Sequence, residues 1–182
     1  MPDMMPNILS TRIPAFLQKR RFNPNSNFDT SAMIYSGARF RVNMTLIMEE
    51  DTFIGTNAVI LVPKLTMKKG SQINAGAIIA GKDEVVLEEN VVISYSCVLL
   101  TATDSPEGKF MNDASPEKDR IIKRGPILLR RNCFIGSLSL IMPNVTIGEN
   151  TVVGAQSYVA KSLEADLVRI PSQITRQDNR KT

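Results

Sequence analysis

The 182-residue sequence contains no histidine and no tryptophan. The first absence removes the side chain that titrates unperturbed near neutral pH, so a histidine general base is excluded, and with it any zinc centre built from three imidazoles. The second, with aromatics at only 5%, means the core must be aliphatic. Two cysteines, Cys97 and Cys133, are too few for a disulfide framework or a metal cluster, which points to a reducing cytoplasm and no metal. The longest apolar run, around residues 91–100, is too short and punctuated to span a bilayer. The opening MPDMMPN lacks the basic and apolar regions of a signal peptide. A soluble intracellular protein is expected. Twenty-two bases against eighteen acids leave +4, too mild an excess to argue for nucleic acid but suited to a small anionic ligand.

What the sequence has is a period of six. Aliphatic residues recur at Leu129, Ile135, Ile141, Ile147, Val153 and Val159 without a slip. Small or branched residues follow four positions later at Cys133, Ser139, Val145, Thr151 and Ser157, and glycine follows directly at Gly136, Gly148 and Gly154. The same phase appears upstream at Val42, Met48, Ile54 and Ile60, then at Met67, Ile73 and Ile79, then at Leu87, Ile93 and Leu99, with short insertions near Pro63 and Lys82. Neither a helix nor an alternating strand repeats every six residues. A flat-sided solenoid does, when each side is a short strand and a corner with one aliphatic pointing inward. Glycine and asparagine suit the corners because they tolerate left-handed backbone angles. Both cysteines fall at the small-residue phase, which reads as core filling.

The segment LRRNCFIGSLSLIMPNVTIGENTVVGAQSYVAKSL, residues 129–163, resembles the closing coils of the hexapeptide-repeat acyltransferases, nearest to the galactoside and maltose O-acetyltransferase branch. The resemblance extends more loosely over residues 35–176 and includes the ending IPSQITR. It implies an all-β fold, a left-handed parallel β-helix with three hexads per coil, and a homotrimer with active sites between subunits. Expected divisions are an N-terminal appendage at 1–34, the β-helix at 35–163 with a loop excursion at 101–126, and a C-terminal extension at 164–182. Within the appendage, residues 14–22 read as a short helix with a basic face. The same fold houses three-histidine zinc carbonic anhydrases, a chemistry this chain cannot support.

The excursion opens with LLTATDSPEGK. Relatives carry a Thr-Ala-Thr-His-like sequence here, whose histidine deprotonates the acceptor hydroxyl; this chain places Asp104 at that position. Asn74, thirty residues earlier, matches the asparagine that accompanies the histidine. An aspartate near its ordinary pKa of about 3.9 is a poor base for a hydroxyl unless burial raises it, whereas a neutral amine attacks without prior deprotonation. Asp104 before Ser105-Pro106 also reads as an ordinary turn initiator. On the cofactor side, Ser137 and Ala155 match corner positions that contact the pantetheine arm of acyl-CoA, and Lys161 matches a base near its phosphates; small residues at 137 and 155 also simply pack corners. Arg120, Lys123, Arg124, Arg130 and Arg131 form an acid-free run, read either as a solvated charged loop or as a wall for phosphates. Together these point to an acyl-CoA-dependent, notably acetyl-CoA-dependent, acyltransferase acting on a sugar or sugar-derived hydroxyl or amine. The alternative is a silent β-helix that binds a ligand or protein and has lost the base.

Overall fold

The computed structural model describes residues 12–176 apart from 17, 19–21, 113 and 172. Its strands stack into three parallel sheets that wall a solenoid of about seven turns. The first face runs through Met33–Tyr35, Phe53–Ile54, Gln72–Ile73, Val92–Ile93, Phe134–Ile135, Val152–Val153 and Leu167–Ile170. The second runs through Arg39–Phe40, Val59–Leu61, Ile78–Ala80, Val98–Leu100, Leu140–Ile141 and Tyr158–Val159. The third runs through Asn27–Phe28, Thr45–Met48, Lys64–Met67, Val85–Leu87, Ile127–Leu129 and Thr146–Ile147.

The period of six is the geometry of these faces. Within a coil, one face advances to the next in six residues, and the aliphatic of each hexad points inward onto its equivalent one coil away. Ile54, Ile73, Ile93, Ile135 and Val153 form the first ladder, Ile60, Ile79, Leu99, Ile141 and Val159 the second, and Met48, Met67, Leu87, Leu129 and Ile147 the third; all are buried. Equivalent residues lie about 4.8 Å apart, so each ladder is continuous aliphatic contact. Val42 departs from the expected phase. It is 89% exposed, because Phe40 pairs with Ile60 and two extra residues separate Phe40 from Met48.

The interior small residues serve the corners. Cys97 Sγ donates to the Gly136 carbonyl at 3.2 Å, Ser139 Oγ to Gly154 at 3.0 Å, Cys133 Sγ to Gly148 at 2.8 Å and Thr151 Oγ1 to Glu164 at 2.7 Å. Each donor therefore satisfies a carbonyl of the following coil where the chain turns.

Parallel pairing begins at Asn27–Phe28 and ends at Leu167–Ile170, so the solenoid continues past both expected limits, 35 and 163. Antiparallel strands close the first sheet at both ends, Arg12–Pro14 on Met33–Tyr35 and Gln173–Arg176 on Leu167–Ile170, which covers edges that would otherwise template another chain. The helix expected over 14–22 begins on the first of these strands, and 17 and 19–21 lie outside the described residues. Phe22 packs on Phe28 and Phe40, with ring centroids 5.4 and 5.0 Å apart, over the first turn. The excursion at 101–126 is an antiparallel ribbon, Ala102–Asp104 against Ile122–Arg124, with a single 3-10 turn at Glu117–Asp119.

Corner glycines are fixed by stacking. A Cβ on Gly136 would meet the Ala155 backbone nitrogen at 2.4 Å, whereas one on Gly154 would meet the flexible Ile170 Cγ2 at 3.1 Å. Gly136→Ala is expected to cost about 1–3 kcal/mol, and Gly154→Ala to stay within about 0.5 kcal/mol. Urea midpoints for the two variants test this, and equal effects would remove coil spacing as the constraint.

Candidate active site

One corner joins the first face to the second. There the chain passes through Gly55-Thr56, Asn74-Ala75, Ser94-Tyr95, Gly136-Ser137 and Gly154-Ala155 on successive coils. Asn74, Ser137 and Ala155 therefore stand at one corner, with Asn74 level with Gly136 and Gly154. The Asn74 backbone nitrogen and its Nδ2 both donate to the Ile93 carbonyl, at 2.9 and 3.0 Å. The Ser94 backbone nitrogen donates to Ile135 at 2.9 Å and that of Gln156 to Ser137 at 2.9 Å.

Ser94 escaped the sequence reading. Its hydroxyl is buried and lies 2.8 Å from the Ser137 hydroxyl, with either oxygen able to donate. A signal was present: Ser94 directly follows an inward aliphatic, the place glycine holds at Gly55, Gly136 and Gly154. Beside the pair, Leu138 has φ +62° and is 59% exposed. A leucine in the left-handed region costs about 1–2 kcal/mol. Such strain gathers at functional sites.

Asp104 and Lys161 lie at a different corner, between the second face and the third. Lys161 sits in the row of Thr101 two coils further on, about 10 Å along the axis at the interstrand spacing. Within one chain, the width of the second face separates these two residues from Asn74, Ser94, Ser137 and Ala155.

Asp104 is held by Arg120, whose Nε and Nη2 donate to its two carboxylate oxygens at 2.7 and 2.8 Å. The Arg120 side chain is 8% exposed and that of Asp104 21%. The hydrogen-bonded guanidinium holds the Asp104 carboxyl below the usual carboxylate range, against the smaller opposing effect of desolvation. The environment thus moves Asp104 away from the raised pKa that a hydroxyl-activating base requires.

The acid-free run, read either as a solvated charged loop or as a wall for phosphates, is paired with acids throughout. Besides Arg120 with Asp104, Lys123 reaches Glu107 at 3.8 Å, Arg124 binds Asp83 through two bonds of 3.0 and 3.1 Å, Arg130 binds Glu88 at 2.9 Å and Arg131 binds Glu149 at 3.0 Å. Each base is matched by an acid from another part of the chain. Lys161 is exposed with no acid partner among the described residues.

The thiols are inert by environment. Burial pushes the Cys133 thiol up to about 12 and raises that of Cys97. Among the described residues no group of three or more cysteine, aspartate or glutamate side chains is placed to hold a metal, and no helix is long and apolar enough to cross a membrane.

The family described as bacterial transferase hexapeptide (six repeats) matches residues 126–161. Galactoside O-acetyltransferase of Escherichia coli (strain K12) is 28% identical over 142 residues, covering 74% of this chain and 68% of its own. The dTDP-4-amino-4,6-dideoxy-D-glucose acyltransferase of Escherichia coli is 27% identical over 93 residues, covering 50% of this chain and 48% of its own. AntD, an N-acyltransferase from Bacillus cereus solved with dTDP and 3-hydroxybutyryl-CoA, superposes with a TM-score of 0.78 at 26% identity, covering 92% of this chain and 88% of that one. Other structures of AntD carry substitutions at a serine or at an aspartate ten positions later, and two of them hold dTDP-4-amino-4,6-dideoxyglucose with coenzyme A. Residues 126–161 carry the hexapeptide repeat, and the parallel solenoid matches the left-handed β-helix fold of these acyltransferases.

Because the folded pKa of Asp104 is depressed, its pairing stabilises the chain above the unfolded value of about 3.9 and that contribution is lost as pH falls through the lowered folded value. Asp104→Asn is expected to lower the urea midpoint at pH 7 and to match the unaltered chain near pH 2. A deficit that persists unchanged at low pH would place the loss in packing. Separately, thiol reagents at pH 8 should modify neither cysteine in the native chain and both after unfolding in denaturant.

Proposed function

We propose that the protein is an acyl-CoA-dependent N-acyltransferase whose acceptor is an amino sugar. The observation that carries this reading is the state of Asp104: at the position that the resemblance assigns to a histidine base, this chain has a carboxylate locked to Arg120 with its pKa lowered. A hydroxyl acceptor needs a base matched to neutral pH, and this carboxylate is not one. An amine in its neutral form already carries the attacking lone pair. The ionised Asp104 then supplies a fixed negative charge that orients the amine and favours its protonated precursor on entry. Two relatives point the same way: the Escherichia coli acyltransferase named for a dTDP-amino sugar, and AntD, whose complexes contain a dTDP-amino sugar and CoA. Ser94 and Asp104 repeat the ten-residue spacing of the serine and aspartate substituted in AntD.

In this reading Ser137 and Ala155 contact the acyl-CoA arm through their backbone groups, and Lys161 lies against its phosphates. Asn74 and Asp104 face the acceptor. These groups occupy two corners of one chain, so a complete site takes one corner from each of two neighbouring copies, which supports a homotrimer with sites between subunits. The outer surface of the second face suits such packing, since Val59, Ile78, Val98, Leu140 and Tyr158 follow one another along a single apolar row. A supply of acyl-CoA and two free thiols fit a cytoplasmic setting. Acetyl-CoA is the simplest donor, and longer acyl groups are its alternatives.

Calorimetry with acetyl-CoA and 3-hydroxybutyryl-CoA tests the cofactor side. Binding is expected, and Lys161→Ala should weaken it about tenfold, the loss of one charge-assisted phosphate contact. No binding of either thioester would sink the reading. Assays with paired amino and hydroxyl sugars should show transfer to nitrogen alone, and Asp104→Ala should reduce that rate. Faster transfer to the hydroxyl sugar would favour the O-acyltransferase reading instead.

A further inference from the structure

Leu87 follows Ile79 by eight positions, whereas Ile147 follows Ile141 by six. The slip falls at Gly81-Lys82-Asp83, one coil before Thr101, where the ribbon departs. The two stretches touch, since an added Cβ on Gly81 would lie 2.3 Å from Thr101 Oγ1. Both charged members of the insertion reach the ribbon. Asp83 accepts two bonds from Arg124, from Nε at 3.1 Å and Nη2 at 3.0 Å, and its backbone nitrogen donates to Thr101 Oγ1 at 3.1 Å. Lys82 Nζ lies 4.0 Å from Glu117, in the 3-10 turn of the excursion. Thr101 is fully buried, its nitrogen donating to Ala80 at 2.8 Å and its carbonyl accepting from Gly125 at 3.0 Å. Both strands of the ribbon thus spring from one buried residue that the insertion holds.

The ribbon has no hydrophobic anchor of its own. Among the described residues from 102 to 124 only Ser105 is buried, while Phe110, Met111 and Ile121 are exposed. Its direction is therefore set by directional polar ties rather than by burial. The Lys82–Glu117 pair is exposed on both sides and holds weakly. The Arg124 fork, bound at both oxygens of a carboxylate whose side chain is only 23% exposed, fixes angle as well as distance. Arg124 stands opposite Ala102, and Asp104 follows two residues along that strand, so turning the base of the ribbon carries Asp104 with it. We propose that Asp83 is a positioning residue for acyl transfer, acting through Arg124 to hold the ribbon at the angle that sets Asp104 against the acceptor. This rests on the N-acyltransferase reading of Asp104 given above. Asp83 touches no reacting atom and exchanges no proton; it fixes where the charge of Asp104 stands.

The test uses the full-length chain with acetyl-CoA or 3-hydroxybutyryl-CoA and a panel of amino sugars that includes dTDP-4-amino-4,6-dideoxyglucose. Asp83→Asn keeps the shape and removes the charge. It is expected to lower kcat/KM for the amino sugar about 10- to 100-fold, the range for a group misplaced by about 1 Å, with acyl-CoA affinity within about twofold. Amide hydrogen exchange at 102–104 and 122–124 should quicken about tenfold as local opening is eased. Arg124→Ala should cause the same losses, and the double variant should lose no more than either single one, since the two side chains form one tie. Unchanged transfer in Asp83→Asn overturns the proposal, as does ribbon exchange no faster than in the unaltered chain. A loss of transfer matched by weaker acyl-CoA binding and a lower melting temperature also overturns it, making the tie a general stabiliser. Failure of the unaltered chain to acylate any member overturns the acyltransferase reading itself, an outcome distinct from turnover that Asp83→Asn leaves intact.

Discussion

Every feature of this molecule depends on the hydrogen bond between one coil and the next. Each strand is only two to four residues long, too short to be stable alone, and is held by donating to the coil ahead and accepting from the coil behind. That repeat of about 4.8 Å leaves no latitude at the corners, where backbone lies directly on backbone. The constraint explains why small residues line the corners, and why Asn57, Asn90, Asn132, Asn144 and Asn150 adopt positive φ where the chain turns. It also explains the side-chain ladder at the third corner, where Asn90 donates to Asn132 at 3.3 Å, Asn132 to Asn150 at 3.1 Å and Asn150 to Asp166 at 3.0 Å.

The same register sets the surface charge. At the corner after the third face, Glu49-Glu50, Lys68-Lys69, Glu88-Glu89 and Arg130-Arg131 follow one another on successive coils, and Glu149 comes next. Signs alternate along the stack, and the pairs Lys69 with Glu50, Lys68 with Glu89, Arg130 with Glu88 and Arg131 with Glu149 join neighbours. Each exposed pair is individually weak, on the order of 0.2–1 kcal/mol. Their joint effect is on register, because a slip of one coil would set like charges together. The alternation is a device for stacking in order, and it pairs Arg130 and Arg131 of the acid-free run.

This accounts for what was legible in the sequence. The inward ladders could be read because burial imposes a period that survives one- and two-residue insertions; the phase failed only at Val42, where the two-residue slack after Phe40 left no aliphatic to mark it. Asn74, Ser137 and Ala155 were singled out by resemblance, and the coil register sets them at one corner. The pairing of Arg124 with Asp83 and of Arg130 with Glu88 was not, since each joins residues more than forty positions apart across the excursion. A run of like charge in sequence is local, while its neutralisation is set by the coil repeat. Ser94 was hidden for a related reason: serine is unremarkable in composition, and it stands out only against the glycines that hold the equivalent place at Gly55, Gly136 and Gly154.

The Asp104–Arg120 pair then bears on how the site divides its work. Both residues lie on the ribbon that leaves the second corner, with Asp104 on one strand and Arg120 just before the other, so the ion pair fastens the ribbon as it fixes the carboxylate. A base for proton removal must change charge during turnover, and a carboxylate clamped at both oxygens resists that change. The clamped charge of Asp104 lies at this corner, and the hydroxyl pair of Ser94 and Ser137 lies at the corner on the other side of the second face. In the proposed reading, a chain without histidine sets the acyl-CoA arm at one corner and the charge that orients the acceptor at the other. On that reading, the separation within one copy is what calls for a second copy at the site.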